Sequence, residues 1–170
     1  MKVLLKNGLT LSLIVLSLAL VSCSSGSKKD AESASDTLVT DNTSATNMEL
    51  NGSSDDNTAG PLKTIYFDYN SSTLTGAGKQ ALEENAQWMK LTDAVSIQVE
   101  GHCDERGGVQ YNIALGERRA NRVKDFLVAL GIAEDRVSTV SYGKDRPNAY
   151  GHDEEAWSKN RRANFVITAK

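Results

Sequence analysis

The densest chemistry in this 170-residue sequence lies in two runs, Gly101-His102-Cys103-Asp104-Glu105-Arg106-Gly107 and Tyr111-Asn112-Ile113-Ala114-Leu115-Gly116-Glu117-Arg118-Arg119-Ala120-Asn121. Asp104 follows an alternating apolar stretch and precedes glycines, while Arg119 falls in a stretch of helical spacing. If Asn112 caps that helix, Arg119 lies seven residues further on and reaches back over the helix start. An anion and a guanidinium then face one small volume, and the free N–H groups of the first helical turn add donors for a carboxylate. A zwitterion suits that arrangement. An Asp104–Arg119 salt bridge that merely ties strand to helix suits it too, and spacing alone leaves both open.

Other chemistries fit the same residues less well. A cysteine hydrolase needs its base within hydrogen-bond reach of the thiol, but alternation along an extended segment turns Cys103 away from both His102 and Asp104. A zinc site from His102, Asp104, His152 and Asp153 follows no recurrent ligand spacing. His102 reads better as a packed, hydrogen-bonded histidine. Arg118, Arg119, Arg122, Lys124, Arg161 and Arg162 are interleaved with Glu117, Asp125 and Glu155, which dilutes any nucleic-acid patch. Tyr142, Tyr150, Trp157 and Phe165 read as core or rim aromatics.

The elements that must position these groups follow from periodicity. Thr64–Tyr69 is β-branched and aromatic, hence a strand. From Gly78 to Leu91 the residues Ala81, Leu82, Ala86 and Met89 recur at helical spacing, with Trp88 at the margin and Asp93 ending the run. Val95, Ile97 and Val99 alternate with polar neighbours, giving a half-buried strand that runs into Gly101-His102. Ile113, Gly116, Ala120, Val123, Leu127 and Leu130 form a second helical stripe, with Gly131 just past its end. Val137–Tyr142 is a strand, Glu154–Lys159 a helical turn and Asn164–Thr168 a last strand. The order β-α-β-α-β-β predicts an α/β fold, a two-layer sandwich with a mixed four-stranded sheet and helices on one face. A parallel pairing of the first two strands would bring Phe67 and Asp68 beside the Asp104 loop. Ligands of open α/β sheets bind at such strand ends.

The first 60 residues read differently. Lys2 and Lys6 precede an apolar run, Leu9–Val21, that is too short for a transmembrane helix and reads as a secretory signal over residues 1–22. Its end, Leu20-Val21-Ser22-Cys23, resembles the bacterial lipobox, so Cys23 is the expected lipidation site, with Ser24 behind it resembling an outer-membrane address. Cys103 would then have no disulfide partner and remain a free thiol. Residues 23–60 have hardly any large apolar side chain and are expected to be a disordered tether, spanning roughly 35 Å as a coil. Ser24–Gly60 carries two lysines against seven acids, whereas Pro61–Lys170 carries fifteen of each sign. The formal net charge of −3 is thus mostly a linker property, and the expected folded domain, 61–170, is neutral.

Taken together, YFDYNSSTL, VEGHCDERGGVQYNIALGERRANRVKDFL, VSYGKDRP and GHDEEAWSKNRRANF resemble the peptidoglycan-associated lipoproteins of the OmpA C-terminal-like superfamily over essentially all of 64–168. The resemblance implies a non-enzymatic domain with no catalytic residue, cofactor or metal, which binds meso-diaminopimelate in the peptide stem of peptidoglycan. Asp104 would take the ammonium and Arg119 the carboxylate, with further contacts at Phe67, Asp68, Arg106, Asn112 and Leu115. It also implies the Tol-Pal system and the partner TolB, an outer-membrane lipid anchor facing the periplasm, and no nucleic acid. Cys103 departs from the alanine or threonine common in relatives, and its side chain is expected to face the core.

Overall fold

The computed structural model describes residues 49–170. Their order is β1 (Ile65–Tyr66), α1 (Gly76–Leu91), β2 (Ser96–His102), α2 (Val109–Ala129), a 3-10 turn (Glu134–Arg136), β3 (Val137–Gly143), α3 (Glu154–Asn160) and β4 (Arg162–Ala169). The mixed four-stranded sheet runs β1-β4-β2-β3, with β2 and β3 parallel and β4 antiparallel to both β1 and β2. This is the expected α/β sandwich.

The helices arise where apolar spacing asks for them. Thr75 caps α1, its hydroxyl accepting the Gly78 N–H at 3.0 Å, and Leu82, Ala86 and Met89 turn inward. In α2 the residues Gly116, Ala120, Val123 and Leu127 are buried, joined by Leu115 and Arg119, while Ile113 and Leu130 are only partly covered. Facing them are Ile97 and Val99 of β2 with Phe165 and Ile167 of β4. Each such side chain contributes on the order of 2 kcal/mol by leaving water. At the end of β2 the helix comes down onto the strand: a Cβ on Gly101 would lie 1.9 Å from the Gly116 carbonyl oxygen. Glycine at 101 therefore sets how closely α2 approaches the strand end that carries Asp104.

Three expectations are corrected. The first strand is two residues long rather than Thr64–Tyr69, and it is not the neighbour of β2, because β4 lies between them. A central strand is covered on both faces; Arg162, Ala163, Asn164 and Phe165 are all buried, whereas Tyr66 of β1 is exposed. β4 therefore takes the inner slot and β1 the edge. The second concerns the cap of α2. Gly108 occupies that position, and Asn112 lies inside the first turn, its side-chain amide donating to the carbonyls of Arg106 (2.8 Å) and Gly108 (3.2 Å).

The third is the tether boundary. β1 covers only the start of β4, and residues 51–54 complete that edge: Asn51 N–H donates to the Ile167 carbonyl at 2.8 Å, Ile167 N–H to Gly52 at 3.0 Å and Ser54 N–H to Phe165 at 2.9 Å. Asp55 then accepts Arg162 Nε at 2.6 Å, with both side chains more than nine-tenths buried. Backbone pairing and hydrogen bonds order this stretch without large apolar residues, so ordered chain begins by Glu49 instead of Pro61. The signal segment, Cys23 and the tether up to residue 48 lie outside the described residues.

Candidate functional site

Beyond the end of β2, the loop after it, the first turns of α2 and the chain following β1 enclose a cleft of about 210 Å³. Asp104, Arg106, Asn112, Leu115 and Arg119 line it together with Cys103, Tyr69, Asn70, Tyr111 and Arg161. Five of the seven ligand contacts anticipated from the sequence thus converge. Phe67 and Asp68 instead border an adjoining depression of about 320 Å³, which shares Arg161 with the cleft. They reach the site through arginines: Arg119 Nη2 donates to the Asp68 carbonyl at 3.1 Å, Arg119 Cζ lies 5.1 Å from the Phe67 ring centroid, and Arg161 Nε donates to the Phe67 carbonyl at 3.0 Å.

The two central charges are held in opposite ways. Arg119 has no solvent exposure as a residue, and its donors end on neutral acceptors: the carbonyls of Ser71 (2.8 Å), His102 (2.7 Å) and Asp68, and the Cys103 sulfur (3.5 Å). No carboxylate among the described residues pairs with it. Burial pulls its pKa below the usual guanidinium range, with Cys103 and Asp104 opposing. Asp104 is saturated. Its Oδ1 accepts the Arg106 backbone N–H and Nε, both at 3.2 Å, and its Oδ2 accepts Arg106 Nη2 at 2.6 Å and Arg161 Nη1 at 3.5 Å. Burial pushes the Asp104 carboxyl up, but the Arg106 and Arg161 contacts outweigh it and hold it below the ordinary carboxylate range.

The Asp104–Arg119 salt bridge left open by spacing does not form. Asp104 takes Arg106 and Arg161, and Arg161 also pairs with Glu154. This bonded set balances two guanidiniums against two carboxylates, and Arg119, outside it, has no counterion among the described residues. An uncompensated guanidinium at the floor favours an anionic group there, while both oxygens of Asp104 are already occupied.

Cys103 is buried, as expected, but stands in the cleft wall rather than in the apolar core cluster, its thiol donating to the Asn112 carbonyl at 3.4 Å. Burial raises its pKa against the pull of Arg119, so it stays a neutral thiol. His102 stacks on Tyr142 (centroids 5.6 Å apart) with Glu100 Oε2 3.5 Å from Nε2; it is packed, but neither ring nitrogen is hydrogen-bonded among the described residues. His152 pairs with Glu105 at 2.8 Å on the surface. The candidate zinc ligands are therefore not gathered, and no group of three His, Cys, Asp or Glu among the described residues could hold a metal ion.

Sequence reasoning missed Arg161 as a site residue and assigned Trp157 only to core or rim. Arg161 enters because β4 starts beside the cleft. Two adjacent arginines heading a buried strand were the available signal. Trp157 and Tyr69 hold the Arg106 guanidinium between their rings, each centroid 4.0 Å from Cζ.

Comparison with known proteins adds to this geometry. Residues 66–161 match the OmpA family. A peptidoglycan-associated lipoprotein of Mesorhizobium japonicum is 41% identical over 158 residues, covering 93% of this chain and 90% of that protein. One from Pasteurella multocida is 49% identical over 100 residues, covering 59% of this chain and 67% of that protein. The crystal structure of the peptidoglycan-associated lipoprotein from Burkholderia pseudomallei superposes with a TM-score of 0.61 at 39% identity, over 64% of this chain and 93% of that one.

Proposed function

The chain belongs to the OmpA family, and from that premise we propose that it binds peptidoglycan without catalysis, as a lipid-anchored tether between outer membrane and cell wall. The observation that carries this reading is Arg119, without a counterion among the described residues, at the floor of a cleft that Asp104 also lines. In the proposed complex, the meso-diaminopimelate of the peptide stem sets its side-chain carboxylate on Arg119 and its ammonium on Asp104. Asn112 and Leu115 line the approach, Arg106 flanks Asp104, and Phe67 and Asp68 support Arg119 from behind. The relatives named for peptidoglycan association support the wall as target.

Lipidation at Cys23 would place the domain on the periplasmic side of the outer membrane, with TolB as protein partner within the Tol-Pal system and a role in envelope constriction at division. The test is retention of the purified domain on sacculi. Wild type should be retained, and Arg119→Met and Asp104→Asn should be washed off while keeping native circular dichroism. Equal retention of all three would reject the site. A pulldown with TolB from the same organism tests the Tol assignment separately.

A further inference from the structure

Asp104 cannot receive an ammonium as it stands, because its four acceptor positions are filled by three donors of Arg106 and one of Arg161. The Arg106 side chain is also clamped between the Tyr69 and Trp157 rings, and Trp157 is fixed in turn by its Nε1–H donating to Glu105 at 2.9 Å. An incoming ammonium is a compact charge that lacks the planar two-pronged fit of a guanidinium to a carboxylate, so on Asp104 alone it is the weaker partner.

Arg106 nevertheless has somewhere to go. Its Nη2 lies 3.9 Å from the exposed carboxylate of Glu154, and the chain behind it runs into Gly107, at φ +88°, and exposed Gly108. Exchange of one cation for another therefore needs an additional source of binding free energy. Within the cleft that source is the unpaired charge of Arg119, available only to a ligand that brings a carboxylate at the same time.

We propose that Arg106 is a built-in competitor for Asp104 that makes the cleft accept ligands carrying both charges and reject amines without the second carboxylate. The inference rests on the wall-binding reading and deepens it: Arg106 sets a threshold that a ligand bringing only an ammonium does not cross, while one that also engages Arg119 does. A residue that only contacted the ligand would, on removal, weaken every ligand; a competitor, on removal, strengthens every ligand whose ammonium must displace it, the wrong one included.

The test is calorimetric titration of wild type, Arg106→Gln and Arg106→Lys with soluble stem peptides containing either diaminopimelate or lysine. Arg106→Gln should bind both peptides about tenfold more tightly than wild type does, which brings the lysine peptide into measurable range, with Arg106→Lys between them. A weakened or unchanged affinity of Arg106→Gln for the two peptides would overturn the proposal. A second readout needs no wall ligand. Trp157 fluorescence in a Trp88→Phe background, titrated with 1,5-diaminopentane, should respond saturably in Arg106→Gln and not in the protein that keeps Arg106. An equal response in both, or none in either, overturns the filter. Wild-type retention on sacculi decides the wall reading independently of these titrations.

Discussion

Arg119 and Arg162 are both nearly or wholly excluded from solvent, at 0% and 4% exposure, yet they sit in contrasting surroundings. Arg162, at the head of β4, gives its Nε to Asp55 at 2.6 Å and thereby fastens residues 49–59 to the sheet. Arg119, on the cleft side of α2, donates only to carbonyls and a thiol among the described residues. A buried guanidinium with an internal carboxylate serves the fold, and losing either partner strands the other. One surrounded by neutral acceptors leaves its charge uncompensated within the fold. Arg161 sharpens the contrast, since alternation along the chain sends it toward Asp104, Glu154 and the Phe67 carbonyl while Arg162 turns to Asp55.

The largest effect should come from breaking the closed pair. Asp55→Ala leaves Arg162 buried and unpaired and should lower unfolding free energy by about 3–5 kcal/mol, measured by urea denaturation. If the loss is below about 1 kcal/mol, typical of an exposed pair, the fastening role of Asp55 is wrong.

Breaking the open site should invert the pattern. Arg119→Met frees three carbonyls but removes an uncompensated buried charge, so stability should fall by only about 1–2 kcal/mol. Binding of the diaminopimelate stem peptide should weaken by about 2–4 kcal/mol, some 30- to 1,000-fold, by calorimetry. A variant that unfolds but still binds when folded would erase the distinction between the two arginines.

Acid should distinguish the regions next. Because the Asp104 carboxyl is held below its ordinary range, its stabilising contribution is complete above about pH 3.9 and is lost as pH falls through the lowered folded value. Sacculus retention should accordingly be level from neutral pH to about pH 4 and drop only below it. In Asp104→Asn that acid-dependent step in stability should be missing from the unfolding curve. A drop beginning near pH 6 would assign the transition to another group.

The smallest expected change is at the docked segment. Ser54 Oγ lies 2.8 Å from both Asn164 Oδ1 and Thr64 Oγ1 and accepts the Phe165 N–H at 3.0 Å. Ser54→Ala should cost about 1 kcal/mol and leave peptide binding unaltered, by the same two assays. A change in peptide affinity would mean that the two arginine environments are coupled through β4.

Asp104 and Arg119 were legible as a pair because each lies in or just past a strongly periodic element, whereas Arg106 and Leu115 entered only through the family resemblance. The Val95–Val99 alternation leads to Asp104, and the stripe through Gly116, Ala120 and Val123 carries Arg119 on the buried side of α2. Asn112 misled, because a good capping residue lay four positions after the glycine that caps α2. The docking of residues 51–54 was invisible to composition, since it is held by backbone hydrogen bonds, Asn164 and Arg162 rather than by apolar surface.

Sequence by itself determined the element order, the buried face of each helix and the presence of an acid and an arginine at one strand end, because local periodicity reports which side of an element leaves water. Only the assembled fold sets β4 between β1 and β2, pairs Arg161 and Arg106 rather than Arg119 with Asp104, and leaves Arg119 without a counterion among the described residues. Strand insertion and ion pairing are set by contacts between residues far apart in the chain, and no periodicity within one element encodes which distant charge will stand opposite.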